Sequence, residues 1–140
     1  MNITSTISIQ INAPREKVWR AITDPATVAQ WFFGTSVESD WEAGRPIVFR
    51  GEWQGQSYED TGTIKKIEPG KLLQYTHLSS RTGQTDMPEN YEIVNFQLSG
   101  DGGQTTLTVH EENLPSAEAR EKSIGLWRMA LENLKKTVEK

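Results

Sequence analysis

The chain contains no cysteine, which excludes a disulfide framework, a thiol nucleophile and a cysteine metal site. It also lacks a basic N-terminal region followed by an apolar stretch, and no apolar run approaches the length of a membrane span. These absences predict a protein of a reducing compartment, the cytoplasm, with no membrane as a partner.

Excess positive charge is absent as well. Lys and Arg total 15 against 19 Asp and Glu, a net charge of −4 with the two signs interspersed. Nucleic-acid binding depends on a basic patch or stripe, so nucleic acid is not expected as a partner. The two histidines, His77 and His110, form no HxH or HxxxH spacing, and we predict neither a metal site nor a cofactor.

What the chain does have is a succession of short apolar patterns. Alternation at residues 3–11 predicts a strand, Pro14 opens a short helix at its first position, and Asp24-Pro25 begins a second helix as cap and proline. Six further strands are predicted at residues 35–41, 46–53, 57–68, 71–80, 90–99 and 104–112, separated by Gly, Pro and Asp. The polar residues 79–89 are predicted to form a loop.

A long helix is predicted at residues 116–140, with Ser116 as its N-cap. Its apolar face consists of Ile124, Trp127, Leu131, Leu134 and Val138. Gly125 interrupts the helix at a cost of about 1 kcal/mol relative to alanine. We therefore expect close packing or a gap beside Trp127.

These elements predict one α+β domain over residues 1–140. Crossover helices between strands are absent, so the sheet is a seven-stranded, bent antiparallel meander around the long C-terminal helix, with two short helices between strands 1 and 2. A curved sheet and a helix often fail to meet at one end. A cavity is expected there.

Four segments in this order resemble the START-like SRPBCC superfamily, in the branch named for homologues of the Hsp90 ATPase activator. They are INAPREKVWRAITDPATVAQWF at 11–32, GTIKKIEPGKLLQYTH at 62–77, GGQTTLTVHEENL at 102–114 and WRMALENLK at 127–135. The resemblance implies a helix-grip fold with an interior pocket for apolar ligands, and a function that varies among members. It departs from the family pattern at His77, where an aromatic residue is usual, and at Glu111, where histidine is common.

Because side chains alternate along a strand, the apolar positions identify the face that lines the expected cavity. The candidate ligand-binding residues are Trp31, Phe49, Trp53, Tyr75, His77, Phe96, Val109, Glu111, Trp127 and Leu131. His77, Glu92 and Glu111 are expected at one end of this cavity and are the candidates for acid–base catalysis. The competing interpretation is a water-filled rim, or a bulge that turns one of them outward.

Three functions remain open at this point. The first is binding of a small apolar or aromatic molecule between Trp127 and the sheet. The second is protein interaction in a stress response, with a chaperone or another protein as partner and Trp31 to Phe33 as the surface; the Hsp90-stimulating relatives carry a separate chaperone-contacting domain that this sequence does not contain. The third is a cyclase- or hydrolase-type enzyme that uses His77 with Glu92 or Glu111. A binding protein is favoured over an enzyme.

Overall fold

A computed structural model describes residues 3–79, 85–100 and 102–139, with the side chain of Trp53 outside this description. The elements in chain order are β1 (Ile3–Ile11), α1 (Arg15–Thr23), α2 (Pro25–Trp31), β2 (Ser36–Ser39), β3 (Pro46–Trp53), β4 (Gln56–Glu68), β5 (Leu72–His77), β6 (Glu92–Ser99), β7 (Thr105–Leu114) and α3 (Ala117–Val138). A short 3₁₀ turn, Pro88–Asn90, precedes β6.

The seven strands form one sheet in the order β1-β7-β6-β5-β4-β3-β2, and every neighbouring pair is antiparallel. From β2 to β7, strands that follow one another in the chain are neighbours in the sheet, because the connections between them are short. Strand β1 closes the other side by pairing with β7. The predicted α+β helix-grip fold, with two short helices between the first two strands, is confirmed.

Helices α2 and α3 begin where their capping residues predict. The Asp24 carboxylate accepts a hydrogen bond from the Thr27 backbone N–H at 3.2 Å, and Pro25 occupies the first position of α2. Ser116 caps α3 by accepting from the Ala119 N–H at 3.0 Å. Pro14 differs from the prediction: it is the extended residue before α1 rather than its first helical residue.

Helix α3 is held against the sheet by an apolar face and by polar contacts to β1. The buried residues of its apolar face are Trp127, Ala130, Leu131, Leu134 and Val138. Arg120 Nε donates to the Thr4 carbonyl at 2.7 Å, and Lys135 Nζ donates to the Gln10 carbonyl at 2.9 Å. These contacts fix both ends of the helix to the same edge strand.

Several strands are shorter than predicted. Strand β2 ends at Ser39, and Trp41 adopts a positive φ of 57° that an extended strand does not allow. Strand β5 ends at His77, followed by an isolated bridge between Thr61 and Leu78, and part of the predicted loop at 79–89 lies outside the described residues. None of the helices in the described ranges combines the length and apolarity needed to cross a bilayer.

Two glycines have opposite surroundings. Gly125 is exposed, and a Cβ added there would meet nothing within 4 Å, so the expected close packing beside Trp127 is wrong: the glycine faces solvent. A Cβ added at Gly62 would lie 1.6 Å from the carbonyl oxygen of Thr76. Gly62 therefore permits the end of β5 to approach β4 closely.

These two glycines form a matched pair for a stability measurement. Gly125→Ala should raise the free energy of unfolding by about 1 kcal/mol, because the helix gains propensity without a clash. Gly62→Ala should lower it by about 2 kcal/mol or more, because β4 and β5 must separate. Urea unfolding followed by circular dichroism measures both changes. A Gly62→Ala protein as stable as the native one would contradict this account of the β4–β5 approach.

Candidate functional site

A cavity lies between the concave face of the sheet and the helices. Within the described residues its lining consists of Ile22, Val28, Trp31, Phe32, Val37, Trp41, Ile47, Phe49, Leu73, Tyr75, Phe96 and Trp127, and we call it the aromatic cavity. Seven of these twelve residues are aromatic, and the whole chain has only twelve Trp, Tyr and Phe. More than half of the aromatic side chains of the protein therefore face one space.

The rings pack against one another around Trp127. Phe32 stacks on Trp127 with ring centroids 5.4 Å apart and planes inclined by 21°, while Phe96 meets the same indole edge-on at 5.5 Å. Phe49 and Tyr75 continue this packing along the sheet, with centroids 5.5 Å apart. Offset-stacked and edge-to-face pairs are the favoured arrangements of aromatic rings.

Phe32 and Trp41 form the mouth of the aromatic cavity, since they are the two lining residues that are only half-buried. The cavity and the open solvent at its mouth together contain about 320 Å³ free of protein atoms. The centre of a water molecule can occupy only about 20 Å³ of this volume. That is room for roughly one water. The cavity is therefore nearly filled by its own side chains, and a larger molecule enters only if mouth side chains move.

The backbone at this mouth is strained. Phe33 and Trp41 have φ angles of 54° and 57°, in the left-handed region that bulky side chains avoid. Such residues cost on the order of 1–3 kcal/mol each and are concentrated at ligand clamps and switch regions. Phe33 immediately follows the half-buried Phe32, whose ring it contacts at 5.7 Å between centroids.

Four titratable side chains lie next to the cavity: Asp60, His77, Glu92 and Glu111, which we call the acidic cluster. His77 Nε2 lies 3.2 Å from Asp60 Oδ2, and its Nδ1 lies 3.8 Å from Glu92 Oε2. Burial opposes the charged imidazolium, but the hydrogen bond to Asp60 and the interaction with Glu92 outweigh it and raise the pKa of His77 to about 9. His77 is therefore a cation at neutral pH.

Glu111 is the most buried carboxyl group of the cluster, with 3% of its surface exposed. Its Oε1 accepts hydrogen bonds from Ser5 Oγ at 3.1 Å and from Ser123 Oγ, and the Trp127 side chain lies nearby. Burial raises its pKa, and the nearby Glu92 carboxylate adds to that shift, while these hydrogen bonds oppose it. Burial likewise raises the pKa of Tyr75, with Glu111 and Glu92 contributing.

The predicted ligand-binding residues fall into separate groups. Trp31, Phe49, Tyr75, Phe96 and Trp127 line the aromatic cavity. Val109 and Leu131 are buried elsewhere in the core, because neighbouring side chains cover them completely. His77 and Glu111 lie behind the lining rings, in the acidic cluster, and the side chain of Trp53 is outside the described residues.

The structure places the predicted residues His77 and Glu92 side by side, but the closest carboxylate to His77 was missed. His77 and Glu92 are directly paired across β5 and β6, and Glu111 acts electrostatically on the same region. Asp60 was not predicted, although its parity with the buried Ile64 on β4 indicates an inward side chain. Within the described residues, no group of His, Asp and Glu has an arrangement suited to a metal ion.

Comparisons with known proteins identify the class of this domain. The family model described as "Activator of Hsp90 ATPase homolog 1-like protein" matches residues 12–139. The solution structure of ChR145 from Cytophaga hutchinsonii is 39% identical and has a TM-score of 0.82, over 98% of this chain and 94% of that one. No curated protein matches the chain at the required significance.

More distant structures share the fold. CalU16 from Micromonospora echinospora is 26% identical, with a TM-score of 0.73 over 96% of this chain and 75% of that one. The Aha1 dimer from Colwellia psychrerythraea is 21% identical, with a TM-score of 0.76 over 98% and 96% of the two chains. The protein is thus a START-like helix-grip domain. It belongs to the Hsp90 ATPase activator homologue 1-like family.

The raised pKa of His77 predicts a pH-dependent stability. Because the folded protein favours the imidazolium, this stabilisation is complete below pH 6.5, the ordinary value, and is lost as the pH rises through about 9. The loss should be on the order of 2–3 kcal/mol. Urea unfolding at about pH 6 and about pH 10 measures it, and NMR of the imidazole gives the pKa directly.

The matched control is His77→Gln, which cannot titrate. Its free energy of unfolding should show a smaller difference between the two pH values, because other groups contribute equally to both proteins. Asp60→Asn should lower the pKa of His77, since it removes the closest negative charge. An imidazole that titrates at 6.5 in the native protein would contradict the assignment of this cluster.

Proposed function

We propose that this protein binds a small aromatic molecule in the aromatic cavity. The observation that carries the proposal is the convergence of seven aromatic side chains on one cavity whose mouth is only half-buried. Ligand pockets are concave and mostly apolar, with a few polar groups that fix orientation. Tyr75 supplies such a group in the wall.

Binding requires side chains at the mouth to move, because the cavity as it stands has room for roughly one water. Phe32 is the side chain best placed to move: it follows the seven-residue helix α2 and is half-buried. Its stacking on Trp127 would be replaced by stacking of the ligand on the same indole. The strained backbone at Phe33 and Trp41 is consistent with a mouth that has a second conformation.

The proposal is tested by titrating the protein with 2-naphthol and following the tryptophan indole N–H signals by NMR. The signals of Trp31, Trp41 and Trp127 should shift, because these residues line the cavity. Trp19 packs against the core without lining the cavity, so its signal should stay in place. No shift at all, or an equal shift at Trp19, would contradict the proposal.

A pair of variants locates the binding site. Val37→Phe adds a ring to the cavity wall and should reduce 2-naphthol affinity at least about tenfold, because the remaining space is filled. Leu126→Phe adds the same ring at a position of α3 that is 39% exposed and should leave the affinity unchanged. The titration of the native protein remains decisive if Val37→Phe lowers stability too far to be measured.

A second candidate is a chaperone-linked interaction, which the family description and the exposed apolar residues of α3 support. Leu126 is 39% exposed and Met129 is 56% exposed, whereas Trp31, part of the surface expected from the sequence, is buried. If this candidate holds, the protein should stimulate ATP hydrolysis by purified Hsp90, and Leu126→Glu with Met129→Glu should abolish the effect. A rate of hydrolysis unchanged by the native protein would exclude it.

The enzymatic alternative is weaker for a physical reason. A general base must be unprotonated to accept a proton, and His77 is held as a cation by Asp60 and Glu92 at neutral pH. Glu111 is covered by Ser5 and Ser123 and has little exposed surface, and Glu92, with 21% of its side chain exposed, lies 3.8 Å from the His77 cation. The acidic cluster is thus better suited to ligand orientation than to general-base catalysis.

A further inference from the structure

The acidic cluster lies behind one part of the wall of the aromatic cavity. Three lining residues separate the two. The Phe49 ring meets the His77 ring edge-on at 5.7 Å, Trp127 lies near Glu111, and Tyr75 is aligned across β5, β6 and β7 with Val94 and Glu111. A molecule that fills the cavity beside Tyr75 and Trp127 would therefore have carboxyl groups as the nearest ionisable neighbours at this part of the wall.

The charges of the cluster do not balance. Asp60, Glu92 and Glu111 contribute three carboxyl groups, and His77 contributes one cation. Because a carboxylate carries one negative charge, the sum is −2, or −1 when Glu111 is protonated. Within the described residues no lysine or arginine forms an ion pair with Glu92 or Glu111. The potential at this part of the cavity wall is negative in either state.

Burial strengthens this potential. Glu111 is 3% exposed, and its hydrogen-bond partners are two hydroxyl groups rather than a cation. In a low-dielectric interior an unpaired carboxylate is costly, and charges interact more strongly there than in water. A ligand that brings a positive charge relieves this cost, whereas one that brings a carboxylate increases it.

We propose that the aromatic cavity selects a cationic aromatic molecule, an aryl amine whose ring lies against Trp127 and whose ammonium group faces Glu92 and Glu111. This inference rests on the proposed function and specifies the chemical class of its ligand. The rings of the lining add to the selection, because the face of an indole or phenol ring attracts cations. Glu92 provides the more accessible carboxylate, since 21% of its side chain is exposed.

Three indole compounds of nearly equal size and different charge test the proposal by isothermal titration calorimetry at neutral pH. They are tryptamine, a cation; tryptophol, a neutral alcohol; and indole-3-acetate, an anion. Tryptamine should bind on the order of tenfold more tightly than tryptophol, because one charge pair in a partly buried site contributes that much. Indole-3-acetate should bind more weakly than tryptophol.

Glu92→Gln removes one negative charge with little change of volume. It should reduce the ratio of tryptamine to tryptophol affinity several-fold and leave tryptophol binding unchanged. Glu112→Gln is the matched control, because it makes the same change of net charge. Glu112 follows the buried Glu111 in β7, and alternation along the strand directs its side chain to the other face of the sheet. Its ratio should equal that of the native protein.

The outcomes separate the two proposals. If tryptophol or indole-3-acetate binds as tightly as tryptamine, the charge selection is overturned and the binding function stands. A preference for tryptamine that Glu92→Gln and Glu112→Gln reduce equally also overturns it, since the preference then comes from net charge. If none of the three compounds binds and 2-naphthol shifts no cavity tryptophan, the binding function itself is overturned.

Discussion

One side chain, Trp127, joins the parts of this domain that are far apart in sequence. Its indole stacks on Phe32 after α2, meets Phe96 of β6 edge-on, and lies near Glu111 of β7. The cavity wall, the mouth and the acidic cluster each include a neighbour of this ring. Where α3 is placed against the sheet therefore determines the shape of the cavity and the surroundings of Glu111 together.

Most of the fold could be predicted from the sequence, because it depends on local patterns. Alternation placed Tyr75 and Phe96 on the inner face, turn residues separated the hairpins, and Asp24 and Ser116 marked the helix starts. Errors fell at strand ends, at Pro14 and at Gly125, where the pattern of one helix face does not say what, if anything, packs outside it.

The site was predictable only in part, since it depends on how strands are aligned across the sheet. Asp60 reaches His77 because Phe49 and Asp60 are paired across β3 and β4 and because Gly62 lets β5 approach β4. Neither the pairing nor the close approach is visible in the spacing of residues along one strand. The size of the cavity is equally a product of ring packing, which composition does not determine.

Stability alone does not account for the acidic cluster. Burying charged groups costs desolvation that their attraction often fails to repay, and apolar side chains of similar volume commonly serve a core as well or better. The cluster nevertheless lies directly behind the rings of Phe49, Tyr75 and Trp127, at one part of the wall of a cavity with a half-buried, strained mouth. A negative potential placed there has a physical use once a positively charged group enters, because the ligand then supplies the charge that the protein lacks.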